Sequence, residues 1–325
     1  MDLASRVAQH GSVEASVASR PGRPFLLFLL FLFGLAAAYS APLTALVRHV
    51  AHSDLHSYVL LVPFVSAYLI YIHWRELPKN YESSPLRTIA PALVGCLALA
   101  AAWVLPRLGS QLSENDHLGL VVFSFVCFVG AGGFAILGCN WMRAAVFPIG
   151  FLIFLVPLPD AAADYLENAS KIASADVANL LFVLTGTPVL RNGNVFQLPG
   201  IVIEVAKECS GIRSSLVLFI TSLLASYLFL RTKWRRCALV AAVIPLGLLR
   251  NGFRILTIAL LCVHFGPQMI HSIIHRRGGP VFFVASLVPL FLLLWWLRSG
   301  ESRRSRFAKG MDVEELKPAS QRHGR

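Results

Sequence analysis

The sequence predicts an all-α, multi-pass integral membrane bundle of about eight transmembrane helices, and three observations predict it. Apolar residues make up 56% of the 325-residue chain and charged residues only 14%. The apolar residues come in repeated runs of about 18 or more, the length a helix needs to cross a bilayer. The polar residues gather into a few short loops instead of separating core segments as they would in a soluble domain. No stretch is long enough for a soluble catalytic domain, so any chemistry must be built from helix ends and short loops.

Taken in order, residues 1–24 read as a cytoplasmic tail, and spans are expected near residues 25–41, 57–73, 88–106, 118–138, 144–159, 210–230, 237–263 and 280–297. The first run, "FLLFLLFLFGLAAAYSAP", has the composition of a signal peptide. Its leader is long and further spans follow, so it is read as an uncleaved first helix. The stretch 164–185, "DYLENASKIASADVANLLFVLT", is amphipathic and charged, which predicts an interfacial or re-entrant helix and not a ninth span. "TPVLRNGNVFQLPGIVIEV" then sets turn residues between short β-prone runs, which predicts a small hairpin-like loop. Residues 25–297 thus read as a single transmembrane domain, followed by a basic, disordered cytoplasmic tail over 298–325.

The net charge of +12 does not imply a nucleic-acid partner. The basic residues stand beside membrane spans, and no aromatic-basic stripe or recognition motif accompanies them. They set orientation instead: with the N-terminus inside, the inner segments hold 19 Lys and Arg and the outer segments 7. Both termini are therefore expected in the cytoplasm and the protein in the cytoplasmic (inner) membrane. The hairpin-like loop, Cys209 and the loop 264–279 then lie on the extracytoplasmic side. The six cysteines are scattered singly with no CxxC pair, so neither a zinc ribbon nor a disulfide framework is indicated. Five lie in or at the inner ends of apolar runs, where a thiol acts as a small hydrophobe. Cys209 alone stands among charges, in "VAKECSGIRSS".

Arg254 lies inside a span, in "LLRNGFRILTIALLCVHF", where an ionised side chain costs at least ~2.5 kcal/mol at the bilayer centre. At a rise of ~1.5 Å per residue, Arg254 stands about 27 Å, Cys209 about 33 Å and His275 about 34 Å from the basic residues at the inner ends of their helices. Three helices thus bring three polar groups to similar depth, with the long Arg254 side chain spanning the difference by snorkelling. A thiol is activated when a neighbouring cation or base raises its thiolate fraction. In this trio Cys209 attacks a carbonyl, His275 relays the proton, and Arg254 steadies the oxyanion or the substrate. Asn251 shares a helical face with Arg254, and Arg213, one turn after Cys209, competes for the electrostatic role. Glu208 or Glu204 could instead neutralise Arg254. Two rival readings use the same residues: a transporter binding an anion at Arg254, and a metal-dependent membrane enzyme using His271 and His275. The "HSIIH" pair lacks the glutamate of HExxH, so no metal is assigned. A third rival is a scaffold for polysaccharide export with no chemistry of its own.

At these residues the chain resembles the exosortase/archaeosortase family of membrane-embedded cysteine transpeptidases. The resemblance rests on "EVAKECSGIRSS" at 204–215, "RNGFRI" at 250–255 and "HRRGG" at 275–279, and it covers about residues 150–297. It implies Cys209 as nucleophile, Arg254 as essential cation and His275 as proton-transfer residue, the last pointing to the bacterial branch. It implies no cofactor. The implied partners are exported proteins whose C-terminal signal comprises a short motif of Pro-Glu-Pro type, a transmembrane helix and a basic tail, with a link to exopolysaccharide or cell-surface assembly. Arg276 and Arg277 depart from the acidic or aromatic residues common after the histidine; with Lys207 they would attract the acidic residue of such a motif. The acyl acceptor, water or an amine, is left open by the sequence.

Overall fold

The structure, a computed structural model, describes residues 22–52, 56–78, 81–82, 84–205, 211–266, 268 and 279–315. It resolves into two compact units, Met1–Pro159 and Asp160–Arg325.

The first unit is helical: α1 (Arg23–Ala38), α2 (Ser40–His52), α3 (Val62–Ile72), α4 (Pro85–Arg107), α5 (Glu114–Gly132), α6 (Gly138–Ala144) and α7 (Val146–Phe151). α1 and α2 form one apolar run bent by 72°. The bend follows from Pro42, which has no N–H to offer the preceding turn. α5 begins where the Ser113 hydroxyl accepts the Asp116 N–H at 3.0 Å. Glu114 and Asp116 stand in its first turn, where the helix dipole favours acids. The core of this unit sets rings among aliphatics: Phe28 and Trp141 are buried with Val129, Leu137 and Met142, and the ring of Phe25 meets Trp74 edge-on at 4.5 Å.

The second unit contains α8 (Asp160–Leu184), three strands, and the helices α9 (Ile212–Phe229), α10 (Lys233–Ala241), α11 (Val243–Phe265) and α12 (Gly279–Glu315). The expected hairpin-like element is a three-stranded antiparallel meander of β1 (Leu190–Asn192), β2 (Val195–Leu198) and β3 (Ile201–Glu204). Its turns pass through Gly193 and Gly200, both at positive φ. Side chains alternate along β2, so Phe196 and Leu198 are buried while Gln197 is exposed. The buried face joins Ala175, Ala178 and Phe182 of α8 and Ile255, Leu256 and Ala259 of α11 in one cluster. Small residues let α8 and α11 approach closely. A Cβ added at Gly252 would come within 2.6 Å of Val177 Cγ1.

Five helices are long and apolar enough to cross a membrane, and up to seven spans result if each of two broken helix pairs counts as one. Of the eight expected spans, the one near 57–73 is the shorter apolar stretch Tyr58–Ile72. The stretch expected to be interfacial or re-entrant lies within α8, one regular helix that passes the span test only together with Val146–Leu155.

Candidate functional site

The polar centre of the second unit is where the first turn of α9 meets α11. α9 starts after Gly211, which has φ +73 and no side-chain cap. The Gly211 carbonyl instead accepts three donors at 3.0 Å: the Ser215 N–H, the Ser214 hydroxyl and Arg250 Nη2. Arg250 Nη2 also reaches Ser215 Oγ at 3.2 Å. A Cβ at Gly211 would come within 2.9 Å of Asn251 Oδ1 and 3.1 Å of Arg250 Nη2. The left-handed backbone and the crowding both restrict this position to glycine. One turn earlier on α11, a Cβ at Gly247 would lie 2.9 Å from Ser215 Oγ, so α11 presses on α9 along residues 247–251.

Arg250 is 9% exposed and Asn251 2%. A guanidinium at that depth requires acceptors, and the Gly211 carbonyl supplies one. Arg250 Nη1 is buried with no acceptor among the described residues. Arg254 stands half-buried one turn further along the same face. Arg213, in the first turn of α9, is exposed, so the cation on the Gly211 carbonyl comes from α11 and not from the cysteine's own segment.

The meander leads the chain to this point. Val205, 2% exposed, donates its N–H to the Asn194 carbonyl at 3.0 Å. Glu204 faces Lys171 of α8 at 3.9 Å, and Arg191 of β1 pairs with Asp176 of α8 at 2.7 Å. Arg191 also lies 5.8 Å from the centre of the Phe196 ring. The chain is therefore held at Val205 and again at Gly211, on either side of residues 206–210. Cys209, Glu208, His275, Arg276 and Arg277 lie outside the described residues, as does the His271–His275 pair. Arg254, Asn251 and Arg213 are described, and the structure brings Asn251 directly against Gly211. Arg250 was not singled out from the sequence. Its signal was available: two arginines at i and i+4 inside one span share a face.

The sequence profile described as Transmembrane exosortase (Exosortase_EpsH) matches residues 48–292, well over half of the chain. The chain belongs to the transmembrane exosortase family. No curated protein and no solved structure matches it. Exosortase membership makes this an integral membrane protein of the sorting-transpeptidase kind, which processes exported proteins in the membrane. The match also extends the kinship beyond residues 150–297, into the helices of the first unit.

Proposed function

We propose that this exosortase cleaves the C-terminal sorting signal of exported proteins through an acyl-thioester on Cys209. The observation that carries the reading is the hydrogen bond from Arg250 to the Gly211 carbonyl. It ties "CSGIR" to "RNGFR", two sequence blocks that the chemistry requires to meet. Cys209 stands two positions before Gly211 in the sequence, a reach of at most ~7 Å. The thiol also precedes the first turn of α9, and a helix N-terminus favours the thiolate.

In the mechanism His275 takes the Cys209 proton, and the thiolate adds to the scissile carbonyl. Arg254 stabilises the oxyanion that forms. The tetrahedral intermediate collapses, the C–N bond breaks, and His275 returns the proton to the departing amine. The substrate then sits on Cys209 as a thioester until water or an amine displaces it. Arg250 and Asn251 act as positioning residues through Gly211. Glu208 and Arg213 support the thiol's surroundings, and Arg276 and Arg277 receive an acidic residue of a motif of Pro-Glu-Pro type. A substrate anchored by its own helix presents that motif at the outer face of the inner membrane, where tethering raises its effective concentration.

The test is capture of the intermediate. Protein co-expressed with a tagged substrate should carry a hydroxylamine-labile mass adduct on the peptide that contains Cys209. An adduct on a different residue, or cleavage that stops on chelation of metal, would overturn the reading.

A further inference from the structure

Apart from the site where α9 meets α11, the second unit contains a cavity of about 240 Å³. It lies between the first turn of α10 and residues 295–300 of α12, and Trp234, Arg235, Trp295, Trp296 and Ser299 line it. The Arg235 guanidinium is held on two sides. Nη1 donates to the Leu297 carbonyl at 2.5 Å, and the group lies 5.4 Å from the centre of the Trp234 ring. Its Nε is buried and has no acceptor among the described residues. A Cβ at Gly300 would come within 3.2 Å of both terminal nitrogens, so the glycine is what lets the guanidinium lie flat there. A guanidinium N–H buried without an acceptor is costly, and an anionic oxygen entering the cavity would remove that cost.

The surroundings specify the anion further. Arg236 and Arg298 lie over the rings of Tyr227 and Phe229 at 5.5 and 5.6 Å. Arg231 and Lys233 stand in the adjoining turn. The acid in this corner, Glu301, accepts the backbone N–H groups of Arg231 and Thr232 at 3.1 and 2.7 Å and also attracts Arg235, while Arg235 Nε keeps no acceptor among the described residues. Trp295 and Trp296 are 67% and 63% exposed at the end of a span, a position where indoles settle at headgroup depth. A free phosphate would use the arginine but leave this apolar indole surface bare. A lipid covers both.

We propose that this cavity binds the phosphodiester headgroup of an anionic phospholipid, with Arg235 as the phosphate ligand and Trp295 and Trp296 against the glycerol and upper acyl chains. The inference is independent of the thiol reading, since it uses none of the residues assigned to cleavage. On the charge-derived topology the lipid belongs to the cytoplasmic leaflet.

The test uses full-length protein, stripped of lipid in detergent and returned to nanodiscs of phosphatidylglycerol or phosphatidylcholine, with inorganic phosphate as a third arm. Retained lipid is counted by native mass spectrometry. The wild type should hold phosphatidylglycerol about tenfold more tightly than phosphatidylcholine, because both offer a phosphodiester to Arg235 but only phosphatidylcholine brings a choline cation into the cluster of Arg231, Lys233, Arg235 and Arg236. Arg235→Gln should bring the two within about twofold. Trp295→Leu with Trp296→Leu, which keeps the surface apolar, should weaken phosphatidylglycerol retention while leaving the arginine in place. Equal retention of both lipids by the wild type would overturn the proposal. So would full preference in Arg235→Gln, or displacement of the lipid by inorganic phosphate at equal concentration.

Discussion

Both units bury rings and aliphatics, but among the described residues only the second buries a guanidinium, that of Arg250. In the first, the large buried side chains are rings and aliphatics, with Trp141 between Phe25 and Phe28 at 6.3 Å from each. In the second, the helices close around small residues and a polar contact: Ala175, Ala178 and Gly252 on one side, Arg250 and Asn251 against Gly211 on the other. Ring packing needs shape and volume and tolerates exchange among hydrophobes. A buried guanidinium on a carbonyl tolerates almost none, because a lost partner leaves a charge or an acceptor unsatisfied. The contrast teaches where function is concentrated: damage to the first unit should lower stability, and damage to the second should lower turnover by each inserted molecule.

The largest effect expected short of the nucleophile itself is at Arg254 and His275. Alanine at either should reduce substrate cleavage by at least ~10²-fold with membrane insertion unchanged, measured by substrate size on immunoblots. Gly211→Ala comes next. It forces a Cβ into a left-handed position within 2.9 Å of Asn251 Oδ1, so cleavage should fall about 10²-fold, whereas Gly34→Ala, with nothing within 4 Å, should be silent. Arg250→Ala removes a charge-assisted hydrogen bond worth about 1.5–3 kcal/mol. Cleavage should drop about 10- to 100-fold through kcat, with KM for the substrate nearly unchanged. Arg250→Lys should restore part of it, while a rise in KM alone would move Arg250 into substrate binding. Smallest on cleavage is Trp141→Ala. It should cost ~3 kcal/mol of stability, read as a lower Tm in detergent, with cleavage per inserted molecule unchanged. A loss of turnover there would erase the contrast between the units.

Much of this was legible in the sequence, and the exceptions have physical causes. Long apolar runs announce membrane helices, and the five qualifying spans all lie in runs read that way. The turn residues of "RNGN" and "QLPG" announced the hairpin. Its third strand was within the same β-prone run, but pairing is a long-range choice that only the register of Phe196 against Ile203 displays. The break at Tyr39 falls close to the expected end of the first span at residue 41; the helix α2 beyond it was not expected, because Ser40, Arg48, His49 and His52 interrupt its apolar pattern. Arg254 drew attention as a charge inside a span. Arg250 has the same property, yet its role appears only when α9 is placed beside it, because nothing in a one-dimensional pattern links Arg250 to the Gly211 carbonyl. The ion pairs from Lys171 to Glu204 and from Asp176 to Arg191 were invisible for the same reason.

The role of the Cys209 thiol in cleavage is read from the size of a tagged substrate in cells that make either the wild type or Cys209→Ala. The substrate should end in a Pro-Glu-Pro-type motif, a membrane helix and a basic tail. The wild type should yield a shortened substrate and Cys209→Ala only full-length substrate, at equal amounts of inserted protein. Shortened substrate persisting with Cys209→Ala would contradict that role.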